Sequence, residues 1–173
     1  PGSGHEVGFS LRRGEILGLS GLLGAGRTEL ARAIFAADPL ESGTLTLEGR
    51  PCRFRSIREA VAAGVAYVPE DRKSQGLFPE LSVEDNILGG RLDRCSRLGF
   101  VRPEICRDLA ERCRGELRIT MRDPGQPVRD LSGGNQQKVL LGRAMSSTPR
   151  VMLLNDPLRG VDHGVKLGLY DVF

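Results

Sequence analysis

The sequence is most informative at first through what it lacks. No apolar run approaches the ~18 residues that a membrane-spanning helix needs, and no charged-then-apolar signal pattern opens the chain. A soluble, intracellular chain is therefore the expectation. No C-x-x-C pair joins Cys52, Cys95, Cys106 and Cys113, and the two histidines, His5 and His163, stand far apart. A Cys/His metal centre is excluded on that spacing, and reduced thiols are expected. No excess of one charge exists either. With 25 basic and 22 acidic residues the net charge is +3, which argues against a dedicated nucleic-acid binder. Lysine is scarce, only Lys73, Lys138 and Lys166 among the basic residues, a bias read as genomic base composition. Tryptophan is absent and aromatic residues amount to 5%.

What is present in excess is glycine, 23 of 173 residues. There is no G-X-Y period and the glycines are scattered, so neither collagen nor a flexible linker accounts for them. The remaining explanation is backbone that turns tightly or approaches another group closely. Apolar content of 39% and charged content of 27% describe a globular chain long enough for one α/β domain with its own core.

Along the chain, residues 1–6 read as a flexible tail or cloning remnant. Val7–Leu11 alternates, and Arg12–Glu15 forms a turn into a predicted apolar strand, Ile16–Leu19. A Gly-rich loop then leads to a predicted helix, Thr28–Ala37, stopped by Asp38-Pro39. Thr44–Glu48 reads as a strand closed by Gly49. Ser56-x-x-Glu59 opens a helix to Ala63 with Gly64 as its C-cap. A buried strand over Val65–Val68 and a polar loop over 70–78 follow. Ser82-x-x-Asp85 caps a short helix, and Pro103 fits the first turn of a longer one. A helix from the Leu131-Ser132-Gly133-Gly134 segment to about Met145, a strand Val151–Leu154 and a helix from His163 complete the pattern. Strand and helix alternate as in a parallel-sheet α/β domain, with a helical insertion at about 82–125. The chain stops inside that last predicted helix, at Phe173, so it reads as C-terminally truncated.

Three motifs carry chemistry. Gly21, Leu22, Leu23, Gly24, Ala25, Gly26, Arg27 and Thr28 have the G-x-x-x-x-G-[basic]-[ST] spacing of a phosphate loop. Its glycines let backbone N–H groups turn inward as an anion nest, and the next helix aims its positive end at the same point. Alone, such a loop is often just a turn; the flanking strand and helix favour the phosphate reading. Val151–Leu154 runs into Asn155-Asp156-Pro157, where nucleoside triphosphatases present a carboxylate toward Mg²⁺ and, in some families, a second that activates water. Leu131, Ser132, Gly133, Gly134, Asn135 and Gln136 open a helix with a hydroxyl and bare amides, a surface suited to a γ-phosphate from another subunit.

With these motifs the chain resembles the nucleotide-binding domain of an ABC transporter, a P-loop NTPase with a parallel-sheet core and a helical subdomain. More narrowly it is similar to the second ATPase domain of the ATP-binding subunit of bacterial monosaccharide importers of the ribose, xylose and galactose type. Gly14–Gly21, Gly24–Leu30, Val68–Lys73, Leu131–Val139 and Arg159–Asp162 carry the resemblance, which covers about residues 7–173. The resemblance implies Walker A at 21–29, the Q-loop position at Glu70, the signature at 131–138, Walker B at 151–156 and a D-loop including Gly160, Val161 and Asp162. It implies ATP, with Mg²⁺ reached weakly through Thr28. The implied partners are a second ABC ATPase domain fused upstream, transmembrane permease subunits and, indirectly, a periplasmic sugar-binding protein, with no nucleic acid. The implied location is the cytoplasmic face of the bacterial inner membrane, as a peripheral protein. The 70–78 loop and the helical insertion would form the permease-facing groove. His163 is not the H-loop histidine, because it directly follows the D-loop.

Five positions depart from the general ABC pattern. Arg27 replaces the Walker A lysine, and its planar fork is no substitute for a compact ammonium. Glu29 stands where a second hydroxyl is usual, and Glu70 replaces a glutamine; the resemblance makes these three habitual in this subfamily. Asn155 and Asp156 are not habitual. Asn155 lacks the charge that orients the Mg²⁺ shell, and Asp156 is one methylene shorter than the expected glutamate. The expectation is a degenerate Walker site beside an intact signature that completes a partner's ATP site. Two alternatives stay open: a competent transporter ATPase, and a DNA-associated ABC ATPase. The second is disfavoured because the stretch between Thr28 and Ser132 has neither heptads nor Cys pairs.

Overall fold

The computed structural model describes residues 7–22, 24–89, 95–97 and 100–158. Its helices are α1 (Arg27–Ile34), α2 (Ile57–Ala62), α3 (Val83–Leu88), α4 (Pro103–Glu116) and α5 (Gly133–Ser146). Its strands are β1 (Leu45–Leu47), β2 (Arg50–Cys52), β3 (Val65–Val68), β4 (Ser96–Arg97), β5 (Phe100–Val101) and β6 (Val151–Leu154).

The α/β expectation rests on β3 and β6. Both are short apolar runs, and they pair in parallel with Val65 opposite Val151 and Val68 opposite Leu154. Parallel strands need a crossover, and the crossover here is the largely helical stretch from α3 to α5. The core lies where α3, α4 and α5 meet the inner face of β3, around Val68, Val83, Ile87, Cys106, Val139 and Leu141. Cys95 and Cys106 are buried there as free thiols. Burial, followed by a contact with the Cys95 thiol, pushes the Cys106 pKa up to about 11.

Caps predicted from local pattern hold. Ser56 Oγ accepts from the Glu59 N–H, and Ser82 Oγ accepts from the Asp85 N–H at 2.9 Å. Pro103 occupies the first turn of α4, where its missing N–H costs nothing.

Five expectations are corrected. Ile16–Leu19 forms no ladder with any described strand, and its side chains stay exposed; a strand exists only through its partner, and this run meets none of the described edges. Val7–Leu11 is likewise irregular. The first helix ends at Ile34, not Ala37: Ala36 turns left-handed at φ 57°, and the Ala37 N–H donates to the Arg32 carbonyl at 2.8 Å. Arg32 then forks onto Asp38 at 2.6 and 2.8 Å, closing the turn. Glu48 and Gly49, both at positive φ, do not end a lone strand but make the two-residue turn of a β1–β2 hairpin. The insertion is not wholly helical, since it contains the β4–β5 hairpin. Residues 1–6 and the helix expected from His163 lie outside the described residues.

Candidate functional site

The Gly-rich loop is built for close backbone approach. Gly24 and Gly26 take φ of 81° and 82°, the left-handed region where an L side chain is strained. A Cβ on Gly21 would sit 3.0 Å from the Ala25 Cβ. The Ala25 N–H donates to the Leu22 carbonyl at 3.1 Å, so the loop folds tightly before α1. Gly26 is the N-cap of α1 and has no side chain to cap it. The first-turn N–H groups of an eight-residue helix are thus left for an outside acceptor. Arg27 is exposed, and its Cδ and Nε lie near Gly21, folded back along the loop. Glu29, also exposed, places a carboxylate in the same first turn. Leu23 lies outside the described residues.

Thr28 is half-buried and meets the end of β6. Asn155 Nδ2 donates to Thr28 Oγ1 at 3.0 Å and reaches the Tyr67 hydroxyl at 3.4 Å. The backbone holds Asn155 in this place, because its N–H donates to the Val68 carbonyl at 3.0 Å, one residue beyond the β3–β6 ladder. Tyr67 in turn stacks, tilted, on Phe35 at 5.5 Å between ring centres. Residues of three segments therefore meet at the Asn155 amide. Asp156, next in sequence, is exposed and left-handed at φ 46°.

This arrangement fits a phosphate better than a Mg²⁺ ion. The nest and the uncapped helix start offer N–H donors. Magnesium demands hard oxygen ligands in near-ideal octahedral geometry, yet the polar group facing Thr28 is an amide N–H₂, a donor without a lone pair to give. That donor occupies one of the two lone pairs of the Thr28 hydroxyl oxygen.

The second cluster surrounds the start of α5. Ser132 is its N-cap and is exposed. Asn135 sends both its backbone N–H and Nδ2 to Ser132 Oγ, at 3.4 and 3.1 Å. Its Oδ1 accepts from the Thr120 N–H at 2.9 Å. Gln136 Nε2 donates to the Leu131 carbonyl at 3.1 Å, fixing the turn of Val128–Asp130, and its Oε1 receives Arg72 Nε at 3.5 Å. Gly133 and the buried Gly134 keep the first two helical positions free of side chains. Ser132 and Leu131 line a cleft of about 460 Å³ with Thr120, Arg122 and Asp130.

Glu70 is half-buried and stands two residues beyond the end of β3. Asp71 then caps a π-helical turn, Arg72–Gly76, accepting from the Lys73 N–H at 2.9 Å and the Ser74 hydroxyl at 2.7 Å. These bonds, the Ser74 hydroxyl's first, hold its carboxyl below the usual carboxylate range. From α5, Arg143 reaches this loop: its guanidinium donates to the carbonyls of Gly76 and Asn86 and to Asn86 Oδ1, and lies 5.0 Å over the Phe78 ring.

The described hydrogen bonds thus gather the predicted residues into two groups: Thr28 with Asn155, and Ser132, Asn135 and Gln136 with the 70–78 loop. Gly160, Val161 and Asp162 lie outside the described residues. Sequence reasoning missed Tyr67, Arg72 and Arg143. A tyrosine within Val-Ala-Tyr-Val and an arginine within Leu-Leu-Gly-Arg-Ala-Met were the available signals, since each is a polar tip inside an apolar run.

The family model for ABC transporters matches residues 5–159. Over 168 residues the chain is 46% identical to the ribose import ATP-binding protein RbsA 2 of Streptomyces coelicolor, covering 97% of this chain and 32% of the relative. It is 44% identical over 168 residues to the ribose import ATP-binding protein RbsA of Geobacillus kaustophilus, with 97% and 34% covered. It is 46% identical to a putative ribose/galactose/methyl galactoside import ATP-binding protein 3 of Agrobacterium fabrum, again with 97% and 34% covered. The chain spans about a third of the length of the curated relatives it matches. Among solved structures, the dimeric post-hydrolysis state of the ATP-binding cassette MJ0796 bound to ADP and Pi shares the fold, with a TM-score of 0.77 and 20% identity, over 95% of this chain and 70% of that one.

Proposed function

Since the chain belongs to the ABC transporter family, we propose that it serves as the second ATPase domain of a sugar-import ATP-binding protein, with its own Walker site degenerate and its signature intact. Its relatives' roles in ribose and galactose import support the sugar-import part. In this reading Gly21–Glu29 receive the phosphates of ATP, and Ser132–Gln136 complete the ATP site of a paired ABC domain fused upstream. Glu70 and the loop after it, with the helical subdomain of about 82–125, face permease subunits at the cytoplasmic side of the membrane. A periplasmic sugar-binding protein acts through those permeases.

One observation carries the proposal of a degenerate site: Asn155 Nδ2 bonded to Thr28 Oγ1. An aspartate there would accept the Thr28 proton and leave its oxygen lone pairs for a metal. The amide donates instead, so Mg²⁺ loses the second-sphere charge and one of the two Thr28 lone pairs is taken. Asp156 compounds this, because its carboxylate falls one C–C bond, ~1.5 Å, short of a glutamate's reach. A displacement of ~1 Å costs about 10²-fold in rate, and a lost electrostatic group adds a comparable factor.

Nucleotide titration with and without Mg²⁺ tests the proposal, together with phosphate release. The expected result is ATP affinity that changes less than about twofold with Mg²⁺, and turnover that rises at least ~10²-fold in the Asn155→Asp, Asp156→Glu double variant. Brisk hydrolysis by the unaltered chain, or tight Mg²⁺-dependent binding, would establish a competent ATPase instead.

A further inference from the structure

We infer that Asn135 is a positioning residue that turns the Ser132 hydroxyl into an outward-facing donor for the γ-phosphate of the paired domain's nucleotide. This rests on the reading of Ser132–Gln136 as the completing surface, and adds the residue that sets the direction of its proton.

The argument is one of hydrogen-bond capacity. A serine hydroxyl has one proton and two acceptor lone pairs. Left alone at a helix N-cap, the oxygen accepts one backbone N–H and its proton rotates freely. Here two donors of one residue converge on Ser132 Oγ: the Asn135 N–H at 3.4 Å and Nδ2 at 3.1 Å. Both lone pairs are engaged, and what Ser132 retains is its O–H. Ser132 is exposed and borders the cleft shared with Thr120, Arg122 and Asp130, so that proton has open space before it.

The orientation of the Asn135 amide is fixed independently. Its Oδ1 accepts from the Thr120 N–H at 2.9 Å. Reversing the amide would set N–H₂ against N–H and lose both bonds. The Thr120 segment is itself anchored to α5, for Lys138 Nζ donates to the Arg118 carbonyl at 2.8 Å where the chain leaves α4. Burial, then the neighbouring Arg118 cation, lowers the Lys138 pKa. Lys138 and Asn135 are three apart on α5 and so share a face; together they clamp the turn that orients the amide.

Asn135→Asp tests this with little change of shape. A carboxylate still accepts the Thr120 N–H and is favourable in the first turn of a helix, so the melting temperature should hold or rise. It cannot donate, and the Ser132 proton then turns inward to it. In the whole ATP-binding protein, with ATP as probe and phosphate release as readout, Ser132→Ala and Asn135→Asp are each expected to lower kcat about 100-fold, the loss of one transition-state donor, with KM within about threefold. The combined variant should fall no more than about threefold below either one, because both remove the same proton. Multiplying losses would show that Asn135 acts by itself and overturn the inference, as would unchanged turnover in Asn135→Asp alongside a slow Ser132→Ala. If Ser132→Ala has no effect, it is the proposed completing role of the signature that fails.

Discussion

At the residue scale, the polar groups that matter are those whose partners come from distant segments. Arg143 is the clearest case. It sits in the apolar stretch of α5, where a charge is costly unless paired, and it satisfies three oxygens of Gly76 and Asn86 while resting on Phe78. Burial lowers its pKa from the ordinary guanidinium value. Arg143→Met keeps the stem and removes every donor, leaving those oxygens in a partly buried place. A loss of about 2–4 kcal/mol is expected from urea unfolding, with Arg143→Lys intermediate because an ammonium cannot reproduce the fork. A loss under half a kilocalorie would mean that water replaces the guanidinium.

At the element scale, what was legible in the sequence is what is decided locally. The caps at Ser56 and Ser82 and the proline opening α4 depend on neighbours a few residues away, and these were read correctly; β3 and β6 were legible as apolar runs, although their pairing joins distant segments. The tight glycine-rich turn ahead of α1 was legible for the same reason as the caps. Ile16–Leu19 was not, since an apolar run becomes a strand only where another edge meets it. The Asn155–Thr28 bond spans 127 positions, and nothing near either residue announces it. The β1–β2 hairpin was missed because Glu48 occupies the first left-handed turn position, where asparagine would have signalled it. Gly64 shows the local rule under load. It leaves α2 at φ 89°, and a Cβ there would meet Arg150 Cγ at 3.0 Å just ahead of β6. Gly64→Ala should therefore cost about 1–2 kcal/mol from the left-handed backbone alone, read as a lowered urea midpoint. An unchanged midpoint would show that the turn can relax.

At the scale of the whole molecule, burial divides the chain unevenly. Among the described residues, none before Ala60 is fully buried, and α1 contains no buried residue. Ile16 and Leu22 are 77% and 86% exposed. The phosphate loop and α1 are tied to the remainder by a short set of contacts, chiefly Thr28 to Asn155 and Phe35 to Tyr67. By contrast α5 lies within the core, with Val139, Leu140 and Leu141 all buried. Segments with few buried contacts open at lower free energy than the global transition. Amides of α1 should then exchange with deuterium at least ~100-fold faster than those of α5, and trypsin should cut after Arg12 or Arg13 before it cuts at Arg107, Arg112 or Arg143. A ligand that binds only the closed form lowers the population of the open one. ATP added without Mg²⁺ should therefore slow exchange in residues 24–34 and leave α5 unchanged. Equal exchange in both helices would mean that the Asn155–Thr28 and Phe35–Tyr67 contacts suffice to make the phosphate loop part of the cooperative core.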